Sequence, residues 1–165
     1  MSICEPLAAE LQREAATTRK MLERVPEDKF GWKPHEKSMP LGRLAGHVAE
    51  LPTLVAPVLK QDELDFATGN FQPLNPSSVA ELLERFDGNV AAAAELLKDQ
   101  TDERMHETWR LRSGDRVFVE LPRVAVIRSM VLNHIVHHRG QLSVYLRLLD
   151  VPLPSVYGPT ADEPM

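Results

Sequence analysis

Apolar residues recur at spacings of three and four in four stretches of this chain, each bounded by proline, glycine or a polar run. In the first, near 5–24, Leu7, Leu11, Ala15, Thr18 and Leu22 share one helical face, and Pro26 follows the last periodic residue. The second takes Ser38 as N-cap and Pro40 in its first turn, with a stripe of Leu41, Leu44, Ala45, Val48, Leu51 and Val55. Pro52 and Pro57 fall inside that stripe and predict a kink or a break. After the polar connection "DFATGNFQPLNPSS", Ser78 and Glu81 form a capping box and open a third helix to about Lys98. Over 107–121 the period changes: Trp109 and Leu111, then Val117 and Val119, alternate with polar residues around "SGD". That pattern predicts a small hairpin or an extended excursion. Pro122 then opens the longest helix, running to about Leu149, before a proline-rich tail. The expected fold is all-α, a four-helix bundle in one domain over 1–165.

Composition narrows the class. With 165 residues, 43% of them hydrophobic and 26% charged, the chain is long enough for a real core and ordinary for a globular domain. No apolar run approaches the roughly 20 residues needed to span a bilayer, so no membrane partner is expected. The N-terminal "MSICEPLAAELQRE" lacks the apolar stretch of a secretion signal, and Cys4 is the only cysteine. The expected location is cytoplasmic. A net charge of −5 argues against a nucleic-acid partner, which calls for a basic face. Arg104, Arg110, Arg112, Arg116, Arg123 and Arg128 are interspersed with acids and read as a mixed, solvated surface.

The candidate chemistry lies in the histidines. Three of the six fall within "HIVHH", residues 134–138. At about 100° per residue, His138 sits about 40° from His134 on the core-facing side, while His137 swings about 60° the other way, onto the flank. Two imidazoles at i and i+4 on one face can bridge a divalent metal. They can equally be core histidines that donate to a backbone carbonyl or to water, which burial would require in any case. His47 lies at the edge of the second helix's apolar stripe and offers a third ligand from another arm. One turn on, Glu50 can accept the other ring N–H of a histidine, enter the coordination shell, or sit as a solvated carboxylate. His35 and His106 fall in connecting segments with nothing to distinguish them.

The segments "VPEDKFGWKPHEKSMPLGRLAGHVAELP" and "NHIVHHRGQLSVYLRLLDVPLPSVYGPTADE" resemble the DinB/YfiT-like family of small metal-binding helical proteins. The likeness runs from the end of the first helix to the C-terminal "YGPTADE", and "HIVHHRGQL" followed by "YLR" and "YGP" is its most specific part. It implies a four-helix bundle that binds one divalent ion, commonly zinc or nickel, through three histidines. Matched motif by motif, these are His47, His134 and His138, with His137 outside. The prolines at 52 and 57 depart from the pattern and bear on the width of the pocket beside His47.

Three neutral imidazoles leave a divalent ion an open position, whereas a closed structural site more often has four ligands. An open ion can lower the pKa of bound water to about 7 or bind an external thiol as thiolate. The resemblance implies the second use, since relatives are similar to bacillithiol-dependent S-transferases and mycothiol-dependent maleylpyruvate isomerase. The leading expectation is therefore thiol-dependent transferase or isomerase chemistry on a small molecule, with a low-molecular-weight thiol as cosubstrate. Metal-dependent hydrolysis, and a metal-binding or sensing module without turnover, stand beside it. Gln141, about 20° behind His134, can reach the pocket rim as a hydrogen-bond donor or pack within the bundle. Arg139 can hold a substrate carboxylate or pair with a tail acid such as Asp162. Tyr145 reads as core, and Tyr157 with the tail as folding back over the bundle end. A homodimer is expected, as small bundles of this kind tend to pair.

Overall fold

The structure is a computed structural model and describes residues 2–69 and 72–164. The first arm is α1 (Cys4–Leu22). A short 3₁₀ turn (Glu27–Lys29) leads to the second arm, α2 (Leu41–Glu50), which passes through a 3₁₀ segment (Leu51–Leu54) into α3 (Val55–Lys60). The third is α4 (Val79–Lys98), followed by the short α5 (Asp102–His106). The fourth runs from α6 (Arg123–Ile127) through a π-helical turn (Arg128–Leu132) into α7 (Asn133–Leu148). The first and second arms each pack on the third and fourth, so the first lies diagonal to the second and the third diagonal to the fourth.

The proline break falls where the sequence puts it. Pro52 sits at the start of the 3₁₀ segment and is buried, so the second arm tightens there instead of ending. The predicted cap forms, with its return bond one residue earlier: Ser78 Oγ accepts from the Glu81 N–H (3.1 Å), and Glu81 Oε2 accepts from the Ser77 N–H (2.8 Å). Ser38 does not cap the second arm. Pro40 holds that position, and no side chain bonds the first turn.

The excursion between the third and fourth arms is a hairpin of β2 (Thr108–Ser113) and β3 (Arg116–Pro122), turning at Gly114 with φ +56°. A third strand, β1 (Glu63–Asp65), pairs parallel to β2 through Glu63–Arg110 and Asp65–Arg112. It lies at the edge of the segment that reads as polar connection, too short to carry a period of its own. The all-α expectation is thus corrected to a helical bundle with a three-stranded sheet at one end.

Buried Trp109 and Leu111 seat this sheet on the core, and the Trp109 indole N–H donates to the Pro57 carbonyl (3.2 Å). A second correction concerns Arg123. It is fully buried, not solvated, and its guanidinium bonds the carbonyls of Val58 and Gln61 at the end of α3 and the Asp62 carboxylate. Arg110 and Arg128 stay at the surface, paired with Glu120 and the half-buried Glu10. Among the described residues no helix is long and apolar enough to cross a membrane.

Candidate metal centre

His47 projects from α2, and His134 and His138 from successive turns of α7. One ring nitrogen from each lies within 4.8 Å of the others, the only such His/Cys/Asp/Glu group among the described residues. The rings stand 4.6–5.2 Å apart between centroids. His137 is exposed and meets only the edge of this group, 4.8 Å from the His138 ring.

The other ring nitrogens are held from behind. His47 Nδ1 donates to Glu50 Oε1 (2.9 Å), and His138 Nδ1 donates to Gln141 Oε1 (2.7 Å). The His134 ring donates to the backbone carbonyl of Met130. A neutral imidazole carries one N–H, so each ring turns a bare Nε2 lone pair inward. His134 Nε2 and His138 Nε2 face each other at 2.8 Å. Two acceptors at that distance repel unless a cation lies between them, so the donor set fits a metal ion. Burial lowers the pKa of His134, because a proton there would be desolvated and would lie close to the His47 ring. Burial, with smaller contributions from the neighbouring histidines, lowers that of His138 to about 4 despite the bond to Gln141. Both rings are therefore in the neutral, ligating form at pH 7.

The same shift makes stability depend on pH. The unfolded chain takes up a proton on His138 near the ordinary pKa of 6.5, while the folded one resists until about 4. Between those values the unfolded state binds more protons, so stability is lost as pH falls. For chelator-treated protein, urea unfolding at pH 7 and pH 5 is expected to differ by on the order of 2 kcal/mol from this residue. His138→Gln should remove that part of the slope; an unchanged slope would rule the cause out.

Glu50 is the hub behind His47. It is buried, and while burial raises its pKa, bonds from His47, the Leu74 N–H and Arg43 outweigh this and hold it below the usual carboxylate range. Arg43 reaches Oε1 at 2.7 Å and Leu74 N–H reaches Oε2 at 2.8 Å. With both oxygens engaged, Glu50 orients His47 as a carboxylate and is not a solvated acid.

Leu74 can approach so closely because residue 46 is glycine: a Cβ there would lie 2.3 Å from the Leu74 carbonyl oxygen. Gly46→Ala is expected to push this segment off α2, break the Leu74–Glu50 bond and loosen His47. The outcome should be a metal affinity lower by roughly 10-fold or more, read by competition with a chelating dye. Unchanged affinity would mean the segment is not part of the support. The glycine directly before His47 inside an apolar helix is the one sequence signal that could have revealed this approach.

Gln141 therefore stands beside His138 as an acceptor, not as a rim donor. Arg139 is corrected more fully. It is buried against α1, paired with Glu14 (2.8 Å) and bonded to Thr18 (3.1 Å), so it holds no ligand in the pocket. Asp162 pairs with Arg147 instead. The Tyr145 hydroxyl donates to the Met39 carbonyl (3.2 Å), and Tyr157 folds back to donate to Glu14 (2.6 Å) over the face of Arg139.

Beside the histidines opens a pocket of about 510 Å³. His47 and His134 line one part of it. Leu51, Leu54 and Pro57 of the interrupted second arm form one wall, and Leu64, Phe66 and Leu111 of the sheet region another. Met130 completes it from the π-helical turn, a feature common at functional sites because it re-aims side chains within a helix. The sequence does not reveal these walls, since they come from segments distant in the chain that meet only in the fold.

A helical bundle that gathers three histidines from two of its arms beside an open pocket is a class of metal-site scaffold. The chain belongs to the DinB family, whose model matches residues 2–164. It is 24% identical over 152 residues to the uncharacterized protein YrdA of Bacillus subtilis strain 168, covering 91% of this chain and 85% of that one. In fold it is similar to a DinB-like protein from Bacillus cereus ATCC 10987, with a TM-score of 0.73, 24% identity, and 94% and 98% of the two chains covered. It is also similar to the DinB-like protein YjoA of B. subtilis, with a TM-score of 0.72, 19% identity, and 92% and 97% covered. A third similar structure is YfiT of B. subtilis, described as a "probable metal-dependent hydrolase with an unusual four-helix bundle topology". Its TM-score is 0.67 at 10% identity, with 90% and 88% covered.

Proposed function

We propose that this protein is a metal-dependent hydrolase whose centre is held by His47, His134 and His138. The observation that carries the reading is the inward convergence of three Nε2 lone pairs, each fixed by a bond on the opposite ring nitrogen. When bound, a divalent ion with three imidazole ligands keeps an open position, acts as a Lewis acid and lowers the pKa of a coordinated water to about 7. The chain's own part is positioning. Glu50, Gln141 and the Met130 carbonyl hold the three rings in orientation, and the pocket places a substrate against His47 and His134.

Hydrolysis adds the oxygen of water to an acyl carbon, breaks the bond to the leaving atom, and returns a proton to that atom. Thiol transfer, the reading favoured by the resemblance, needs in addition a polar subsite for the cosubstrate. The polar side chains lining the pocket, among the described residues, are His47, His134, Glu50 and Thr53. Glu50 is fully engaged, and the Thr53 hydroxyl donates to the Glu50 carbonyl (2.7 Å). The description of YfiT agrees with the hydrolase reading.

The test is turnover of uncharged aryl and alkyl esters by zinc- or nickel-reconstituted protein, with and without added thiols. Ester hydrolysis that vanishes in His134→Ala would support the proposal. Turnover only with a thiol would replace water by thiol as the nucleophile. Metal uptake without turnover of either kind would leave a binding or sensing module.

A further inference from the structure

The pocket beside the histidines also carries information about what enters it. Its walls are hydrocarbon on both sides: Leu51, Leu54 and Pro57 from the second arm face Leu64, Phe66 and Leu111 from the sheet region. Phe66 is 49% exposed and stands in the pocket wall, where a ligand could cover its ring. No lysine or arginine is among the described lining residues. Arg112, next to Leu111, turns to the opposite face of the strand, where Glu63 and Asp65 neutralise it. The two polar side chains other than histidine are committed to internal bonds. Among the described residues, a ligand here has nothing to pair a charge with except at the histidine end.

From this we infer that the pocket is a binding chamber for an uncharged, hydrocarbon-rich substrate, with its reacting group at His47 and His134 and its apolar body between Leu54 and Leu111 and against Phe66. The inference rests on the hydrolase reading for the reacting group alone; the chamber's preference is a property of its walls. A volume of about 510 Å³ lies within the range that encloses a small organic ligand. Each buried methylene contributes about 0.8 kcal/mol, or about fourfold in affinity, so the walls can select by apolar length. A charged group placed there would lose its hydration without a partner.

Two probes with one ring skeleton make the test. N-phenyl-1-naphthylamine is uncharged, and 1-anilinonaphthalene-8-sulfonate adds a single sulfonate. On the purified protein, fluorescence titration should give saturable binding of the neutral probe at one site, with the sulfonate at least 10-fold weaker in displacing it. Leu54→Arg should weaken the neutral probe and strengthen the sulfonate, reversing the order while circular dichroism stays unchanged. Phe66→Arg, at an exposed position, repeats the reversal should the first variant fold poorly. Equal affinity for the two probes, or loss of neither on these substitutions, overturns the inference. Metal content measured on the same samples keeps the two readings apart. Probe preference in protein that takes up no metal would retain the chamber and remove the hydrolase reading; metal uptake without preference would do the reverse.

Discussion

Replacing His47 with alanine is expected to reduce bound divalent metal from near one ion per chain to near none. Elemental mass spectrometry on wild type and variant, each reconstituted with zinc and with nickel, measures this directly. The physical basis is that one of three inward lone pairs disappears, and with it the only ligand from the second arm. The loss in affinity should be at least 100-fold, beyond the 10- to 100-fold typical of groups that merely hold a ligand. His134→Ala and His138→Ala should behave alike. Glu50→Gln should fall in the lower range, because the amide can still accept from His47 but loses its charge and its ion pair with Arg43. His137→Ala is the control, since its exposed ring meets His138 only at the edge, and metal content should not change. If wild type takes up no ion after reconstitution, or His47→Ala retains it, the metal centre is wrong. The histidines would then be bonded core residues.

Arg123→Met is expected to cost about 2–4 kcal/mol of stability, the largest effect away from the histidines. The guanidinium closes the end of α3 by donating to the carbonyls of Val58 and Gln61, two groups that a helix C-terminus otherwise leaves unpaired. Methionine keeps most of the volume, so the loss comes from hydrogen bonds and not from a cavity. The Asp62 carboxylate is mostly exposed and returns to water at little cost, which is why the estimate stays below that for a stranded buried charge. Urea unfolding with an unchanged m-value would read the difference. Arg128→Met, which removes only a half-exposed pair with Glu10, should cost less than about 1 kcal/mol. Equal effects of the two substitutions would mean that the α3 end is satisfied without Arg123. Because Asp62 adjoins β1, the Arg123 variant should also loosen the sheet wall of the pocket and weaken the neutral probe.

The hydrolase reading is proposed beside the thiol chemistry that the resemblance implies. The proposal rests on the pocket and not on the metal: the same three imidazoles serve either nucleophile. What differs is the space beside them, where the polar groups are already bonded to one another and the rest is hydrocarbon.

The four arms, the proline interruption after His47, the Ser78–Glu81 cap, and the shared face of His134 and His138 are legible in the sequence. These are local properties, decided by residues within a turn or two of one another through the helical period and the chemistry of helix ends. The sequence also indicates, through its resemblance to a known family, which third histidine to set beside that pair. The rest follows from contacts between distant parts of the chain. Arg123 reads as surface until the end of α3 offers it two carbonyls. Arg139 reads as a ligand holder until α1 supplies Glu14. The strand β1 has no period of its own and exists because β2 pairs with it. Gly46 matters only because Leu74 comes to lie against it. Each of these depends on partners distant in the chain, and a charged side chain or a three-residue segment takes its state from such partners, not from its neighbours in sequence.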